Sequence, residues 1–242
     1  LYYALLTLNA CLREGPEVPC AVIQDWPDFR IRGMQFFHCL NQWSPLGIDP
    51  ARLPRYENFA QRIADAGPGA IPPAEMYYWG WPSVRFDETL AIRVAERMSR
   101  LKMNTVLLMG GDSVRWETHP EIALPDAWPV SRMNAFMAEL RRLHLDVIPG
   151  LNFSPMHDTW LGPYHTLVDT PDYDRVSADL IREFASLCPG SRFFHLGLDE
   201  EDENHRAAYG HLPTILRPTP RQMEHFARMS DVTEKCGMRA NA

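Results

Sequence analysis

Arg192-Phe193-Phe194-His195-Leu196-Gly197-Leu198-Asp199-Glu200 is the stretch on which the reading of this chain turns. Its apolar run (Phe193, Phe194, Leu196, Leu198) reads as a buried strand that ends in two adjacent carboxylates. Parallel strands are apolar on both faces because helices cover them, and in barrel enzymes the catalytic groups sit where such strands end. Asp199 and Glu200 are therefore candidates for a proton-transfer pair. The competing reading is plainer. The acidity continues through Glu201-Asp202-Glu203, and such runs also cap a following helix, complement its dipole or simply face solvent.

Outward from this strand, the chain alternates between strand and helix patterns. A first strand is predicted over 31–37. Asp87 can cap a helix whose apolar residues Leu90, Val94, Met98 and Leu101 follow helical spacing. The aliphatic run over 104–109 reads as the second strand. Ser131 opens a helix with Phe136, Met137, Leu140 and Leu143 on one face, and 146–151 gives the third strand. Asp172 opens a helix through Val176, Leu180, Ile181, Phe184 and Leu187, followed by the fourth strand over 193–197. A last helix around Met223, Phe226 and Met229 ends near Gly237, a suitable C′ glycine, and 238–242 begins a fifth strand. This is the rhythm of helix-covered parallel strands. An insertion over 39–86 interrupts it. The insertion holds a predicted helix over 54–66 and the stretch Met76-Tyr77-Tyr78-Trp79-Gly80-Trp81, read as a packed loop or as a platform for a sugar face.

Composition sets the outer bounds. A chain of 242 residues can bury a sizeable core, and its 45% hydrophobic and 23% charged content is that of a globular protein. The net charge of −7 and the lack of a basic stripe argue against a nucleic-acid or anionic-membrane partner. No stretch approaches the about 20 apolar residues that span a bilayer. Leu8-Asn9-Ala10-Cys11 could pass for the end of a lipoprotein signal, but no basic region or initiator Met precedes it. Cys11, Cys20, Cys39, Cys188 and Cys236 are scattered, form no CxxC pair and show no metal-ligand spacing, so no metal is expected. A Cys11–Cys20 disulfide has no specific support, and the redox compartment stays open.

The order of these segments resembles glycoside hydrolase family 20, the β-N-acetylhexosaminidases, over nearly the whole chain. Tyr3-Ala4-Leu5-Leu6-Thr7-Leu8 resembles the segment joining that family's small N-terminal domain to its barrel. Asp25-Trp26-Pro27-Asp28-Phe29-Arg30-Ile31-Arg32-Gly33 is similar to the first-strand entry, and Leu101-Lys102-Met103-Asn104 to the second helix–strand unit. Val147-Ile148-Pro149 with Pro155-Met156-His157 resembles the third strand and its loop. His195-Leu196-Gly197-Leu198-Asp199-Glu200 resembles the catalytic strand. Five collinear matches are more specific than any one of them.

The resemblance implies a TIM (β/α)8-type barrel truncated after about the fifth strand, with 1–24 a linker from a missing domain and 25–242 a partial barrel. About three further βα units would close it. The isolated chain, with sheet edges and helix faces uncovered, is expected to be poorly soluble or inactive. The implied activity is removal of terminal β-linked N-acetylhexosamine, with no cofactor, from glycans containing N-acetylglucosamine or N-acetylgalactosamine. The compartment stays open, with secretion and a periplasmic location as its alternatives. The substrate's own acetamido oxygen attacks the anomeric carbon, so no enzyme nucleophile is needed. Glu200 would be the general acid and then base, and Asp199 would orient the acetamido group. Arg32 would hold sugar hydroxyls, with a surface salt bridge as its alternative. His157 would orient a loop or serve structurally, and Asp112, Trp116 and Asn152 would complete the sugar contacts. His195, out of phase with its strand neighbours, is expected to be buried and hydrogen-bonded rather than catalytic. The chain departs from the pattern in three places, one being that Asp112 and Trp116 match the family's His-and-Asp segment only loosely. Leu198 stands where the family has a second glycine, and Gly150-Leu151-Asn152 replaces an acidic pair. A glycan-binding barrel without turnover, a β-glycosidase for another sugar, and a divalent-metal hydrolase are the alternatives.

Overall fold

The computed structural model describes residues 2–13, 22–39, 83–202, 204 and 216–242. The helix predicted over 54–66 and the aromatic stretch 76–81 lie outside the described residues.

Five parallel strands form the central sheet, in the order β1-β2-β5-β6-β7. They are β1 (Gly33–Phe37), β2 (Thr105–Met109), β5 (Asp146–Gly150), β6 (Phe193–His195) and β7 (Arg239–Asn241). All five fall where the sequence placed strands, the first four as largely apolar runs and the last as the start of a strand after Gly237. A parallel bridge between β3 (Val114–Arg115) and β4 (Trp128–Pro129), too short for a pattern to predict, joins two loops beside the sheet. Register is tight between β1 and β2, where a Cβ on Gly33 would stand 2.2 Å from the Thr105 carbonyl oxygen. Only glycine allows that approach.

A helix follows each of the first strands and returns the chain to the same edge, as parallel pairing requires. Helix α1 (Tyr2–Arg13) precedes the sheet, within what the sequence suggested was a linker. Helix α2 (Glu88–Arg100) starts at Asp87, whose side chain accepts the Leu90 N–H as predicted. Helix α3 (Val130–Arg142) starts one residue before Ser131. Helix α4 (Pro171–Leu187) is capped by Thr170, which accepts from the Tyr173 N–H, so Asp172 lies in the first turn and complements the dipole instead. Helix α5 (Thr219–Lys235) precedes β7.

The core lies between these helices and the sheet. Val106, Leu108 and Phe194 on the strands meet Ala95, Met133, Met137, Leu140 and Phe184 on the helices, all fully buried. Each large side chain so buried contributes roughly 1.5–3 kcal/mol relative to exposure. On the other face, Leu107, Ile148 and Phe193 are only partly covered and border an open cavity of about 470 Å3 with Gly33, Gln35 and Thr105. Cys11, Cys188 and Cys236 are free thiols. No helix among the described residues is long and apolar enough to cross a membrane.

His38, just past β1, is buried between Trp128 and Phe86, with Nδ1 2.7 Å from the Ser113 hydroxyl. Burial, helped by the charge of Arg132, pushes its pKa from 6.5 down to about 3. The unfolded chain binds this proton near pH 6.5 and the native state does not until about pH 3, so stability falls as pH drops through that window. The Tm advantage of the native protein over His38→Asn should therefore shrink between neutral pH and about pH 5. A constant difference across a thermal-melt series would contradict that linkage.

Candidate active site

The C-terminal ends of the strands converge on a pocket of about 230 Å3, lined by Gln35, Phe37, Met109, Asn152, His157, His195, Asp199 and Glu200. The volume lies just under the ligand-pocket range of about 300–1,000 Å3 and suits one ring-sized group. Gln35 and Phe37 come from β1, Met109 and His195 end β2 and β6, and the others follow β5 and β6.

The turn after β6 is the unusual element. Gly197, Leu198 and Glu200 all have left-handed backbones, with φ of 69°, 68° and 59°. For non-glycine residues that conformation costs about 1–3 kcal/mol each and persists only where surrounding contacts enforce it. Leu198 thus adopts a conformation that glycine would take without strain. The turn presents two carboxylates side by side. Asp199 is exposed and accepts from Asn152 Nδ2 at 2.8 Å. Glu200 is half-buried, and its Oε2 lies 2.9 Å from Nε2 of the buried His157.

Two buried assemblies support this front layer. Asp158, next to His157, accepts from the Tyr173 hydroxyl at 2.7 Å and pairs with His165 Nδ1 at 2.9 Å. Burial, and then the Asp158 charge, push the Tyr173 pKa well above its ordinary value, so the hydroxyl stays a donor. Glu201, next to Glu200, pairs with Arg217 through two side-chain bonds of 2.8 Å, with both side chains essentially inaccessible. Arg217 Nη2 also reaches the Phe153 carbonyl at 3.3 Å, which ties the loops after β5 and β6 together.

Of the residues singled out from the sequence, Asp199, Glu200, Asn152 and His157 meet in this pocket. Arg32 does not. It precedes β1 at the opposite edge of the sheet, where its guanidinium donates to the carbonyls of Lys102 and Phe29 at 2.9 and 2.6 Å and lies over the Tyr3 ring. Asp112 is buried after β2 and accepts the Cys39 thiol at 3.1 Å. Trp116 is fully buried, donates to the Gly111 carbonyl at 2.8 Å and packs on Phe184. Neither lines the pocket. Gln35, Phe37 and Met109 do, and alternation along the strands could have pointed them inward. His195 is half-buried and lines the pocket, with Nδ1 unpartnered among the described residues. Burial holds its pKa below the ordinary value against the opposing pulls of Asp199 and Asn241. His157, Asp199 and Glu200 each place one potential ligand atom within 4.8 Å of the others, the one such metal-binding grouping among the described residues.

Fold and pocket together define a chain of helix-covered parallel strands with a carboxylate pair at the carboxyl edge of its sheet. The same fold occurs in solved glycoside hydrolase family 20 structures, so the resemblance expected from the sequence holds at the level of fold. A family 20 β-N-acetylglucosaminidase matches with a TM-score of 0.61 at 15% identity, covering 98% of this chain and 48% of that one. The Vibrio harveyi exo-β-N-acetylglucosaminidase, solved with N-acetylglucosamine, matches at 0.55 and 13% identity over 89% of this chain and 35% of that one. A mutant Streptomyces plicatus β-hexosaminidase holding its product GlcNAc matches at 0.52 and 18% identity over 64% of this chain and 36% of that one. The chain therefore spans less than half the length of these relatives. No protein-family model and no curated protein matches it.

Proposed function

We propose that the protein is a glycoside hydrolase that removes terminal β-linked N-acetylhexosamine with retention of configuration, by participation of the substrate's acetamido group. The observation that carries this reading is the Asp199–Glu200 pair, presented by a strained turn into a small pocket with His157 behind Glu200.

Glu200 is the general acid. With its ring proton on Nε2, His157 donates to Glu200 Oε2 and leaves Oε1 to carry the proton that goes to the leaving oxygen. Asp199 accepts the acetamido N–H and stabilises the positive charge that builds as the acetamido oxygen bonds to the anomeric carbon. Glu200, now a carboxylate, takes a proton from water as that water opens the cyclic intermediate. Gln35 supplies a polar group to the rim. Among the described residues β1 and β7 are the edge strands of a five-stranded parallel sheet, which fits part of an eight-stranded barrel in which further strands would wall the pocket.

The test compares turnover of an aryl N-acetyl-β-glucosaminide and the matching aryl β-glucoside by the protein at its natural length. A preference of about 100-fold or more for the acetamido sugar, abolished in Asp199→Asn, is expected from loss of transition-state stabilisation of this kind. Equal turnover of both sugars would refute acetamido participation. The grouping of His157, Asp199 and Glu200 favours one second reading, a divalent-metal hydrolase. Turnover that survives a chelator excludes it.

A further inference from the structure

Asn152 is nearly inaccessible, at 6% exposure, and its side chain makes three contacts that fix which way the amide points. Its Oδ1 accepts from the backbone N–H groups of Ser154 at 3.0 Å and Leu198 at 3.3 Å. Two donors on one atom identify that atom as the oxygen, so the NH2 group must face Asp199 Oδ1, 2.8 Å away. The Trp160 indole holds the Asn152 carbonyl at 2.9 Å, which fixes the backbone beneath. The amide also packs closely against Gly197, where an added Cβ would stand 2.1 Å from Asn152 Oδ1.

We propose that Asn152 is a positioning residue that acts through Asp199. Its oxygen pins the left-handed turn at Leu198, and its NH2 obliges Asp199 to be the acceptor, turning the other carboxylate oxygen to the substrate. This rests on the reading of Asp199 as the group that orients the acetamido N–H. Few side chains can replace it. Aspartate of the same size is acceptor-only when ionised, so it can receive the two N–H groups but repels Asp199. Leucine fills the volume and leaves both backbone donors and Asp199 unmatched. Three other titratable groups face Asp199, namely His195 from β6, Glu200 from the turn and His157 from the loop after β5. Gln35, Phe37 and Met109 from β1 and β2 bring no charge.

The test uses Asn152→Asp and Asn152→Leu at natural length, with kcat and KM for the aryl N-acetyl-β-glucosaminide followed against pH. In Asn152→Asp the two carboxylates share one proton, and only that singly protonated pair restores the missing donor. Its kcat should therefore fall about 10- to 100-fold relative to the native protein as pH rises and the shared proton leaves, with KM little changed. Asn152→Leu should lose kcat at every pH. A native pH profile in Asn152→Asp overturns the proposal, and so does an unchanged kcat in a folded Asn152→Leu. If the native protein shows no preference for the acetamido sugar, the functional reading fails separately. The proposal is then read from the carbon-13 resonance of the Asp199 carboxyl. A titration displaced to higher pH in Asn152→Asp upholds it, and an unmoved one overturns it.

Discussion

Glu200→Gln is expected to lower kcat on an aryl N-acetyl-β-glucosaminide by about 10²- to 10⁴-fold, the usual contribution of a positioned general acid, while binding is kept. The reasoning is local. Glutamine has the volume of glutamate and retains an oxygen that accepts from His157 Nε2, so the left-handed backbone at Glu200 and the 2.9 Å contact behind it can persist. What disappears is the transferable proton. The loss should depend on the leaving group. An aryl group acidic enough to depart as its anion needs no protonation, so the deficit should narrow along a series of increasingly acidic phenols. Steady-state kinetics over such a series checks this, with equilibrium binding of an unreactive analogue as the control. A deficit that is constant across the series would remove Glu200 from the role of proton donor. Retained binding with lost turnover also separates an enzyme from a glycan-binding barrel, because a recognition carboxylate would lose affinity instead.

The parts of the fold that were legible share one physical basis. Strands β2, β5 and β6 are buried by helices on one face, and that burial writes itself as short aliphatic runs such as Thr105 to Met109. The Asp87 cap was equally plain, since an Asx side chain before an amphipathic run has few other uses. The cap of α4 was misassigned by two residues because Thr170 and Asp172 both suit a helix start, and Pro171 at the first position decides for Thr170.

The site was legible only where its residues adjoin the ends of strands. Asp199 and Glu200 announce themselves after an apolar run, and His157 follows β5 closely. Arg32 illustrates the converse. An Arg-Gly pair beside a strand does not say which end of that strand it occupies, and here it precedes the first residue, at the edge away from the pocket. Trp116 was expected to contact sugar, and its place in the core depends on long-range packing against Phe184 that no local pattern encodes. Left-handed Leu198 ran against propensity altogether. Local rules fail most at positions held by neighbours, which is where strained functional turns occur.

Arg217 was invisible to sequence reasoning because its partner Glu201 lies 16 residues earlier in the chain and no motif links them, yet it should give the largest stability effect. Arg217→Met is expected to cost about 3–5 kcal/mol, because it leaves Glu201 as a buried charge without its cation. For a chain of this size that amounts to a fall in Tm of roughly 10 °C by thermal melting. Burial opposes the charge on Arg217, and the contacts with Glu201 together with nearby Tyr173 and Asp158 outweigh it, holding the guanidinium pKa above its ordinary value. Nη1 of Arg217 has no hydrogen-bond partner among the described residues, so within them the pair is not ideally satisfied. Removing both charges should therefore recover most of the loss, since apolar replacements of a buried pair are often neutral or better. The double variant Glu201→Leu, Arg217→Met should melt close to the native protein. Its activity should stay depressed, because Arg217 also holds the Phe153 carbonyl beside Asn152, and Glu201 anchors the residue after Glu200. Stability recovered without activity would assign the pair to aligning the two loops. Recovery of both would reduce it to a structural ion pair.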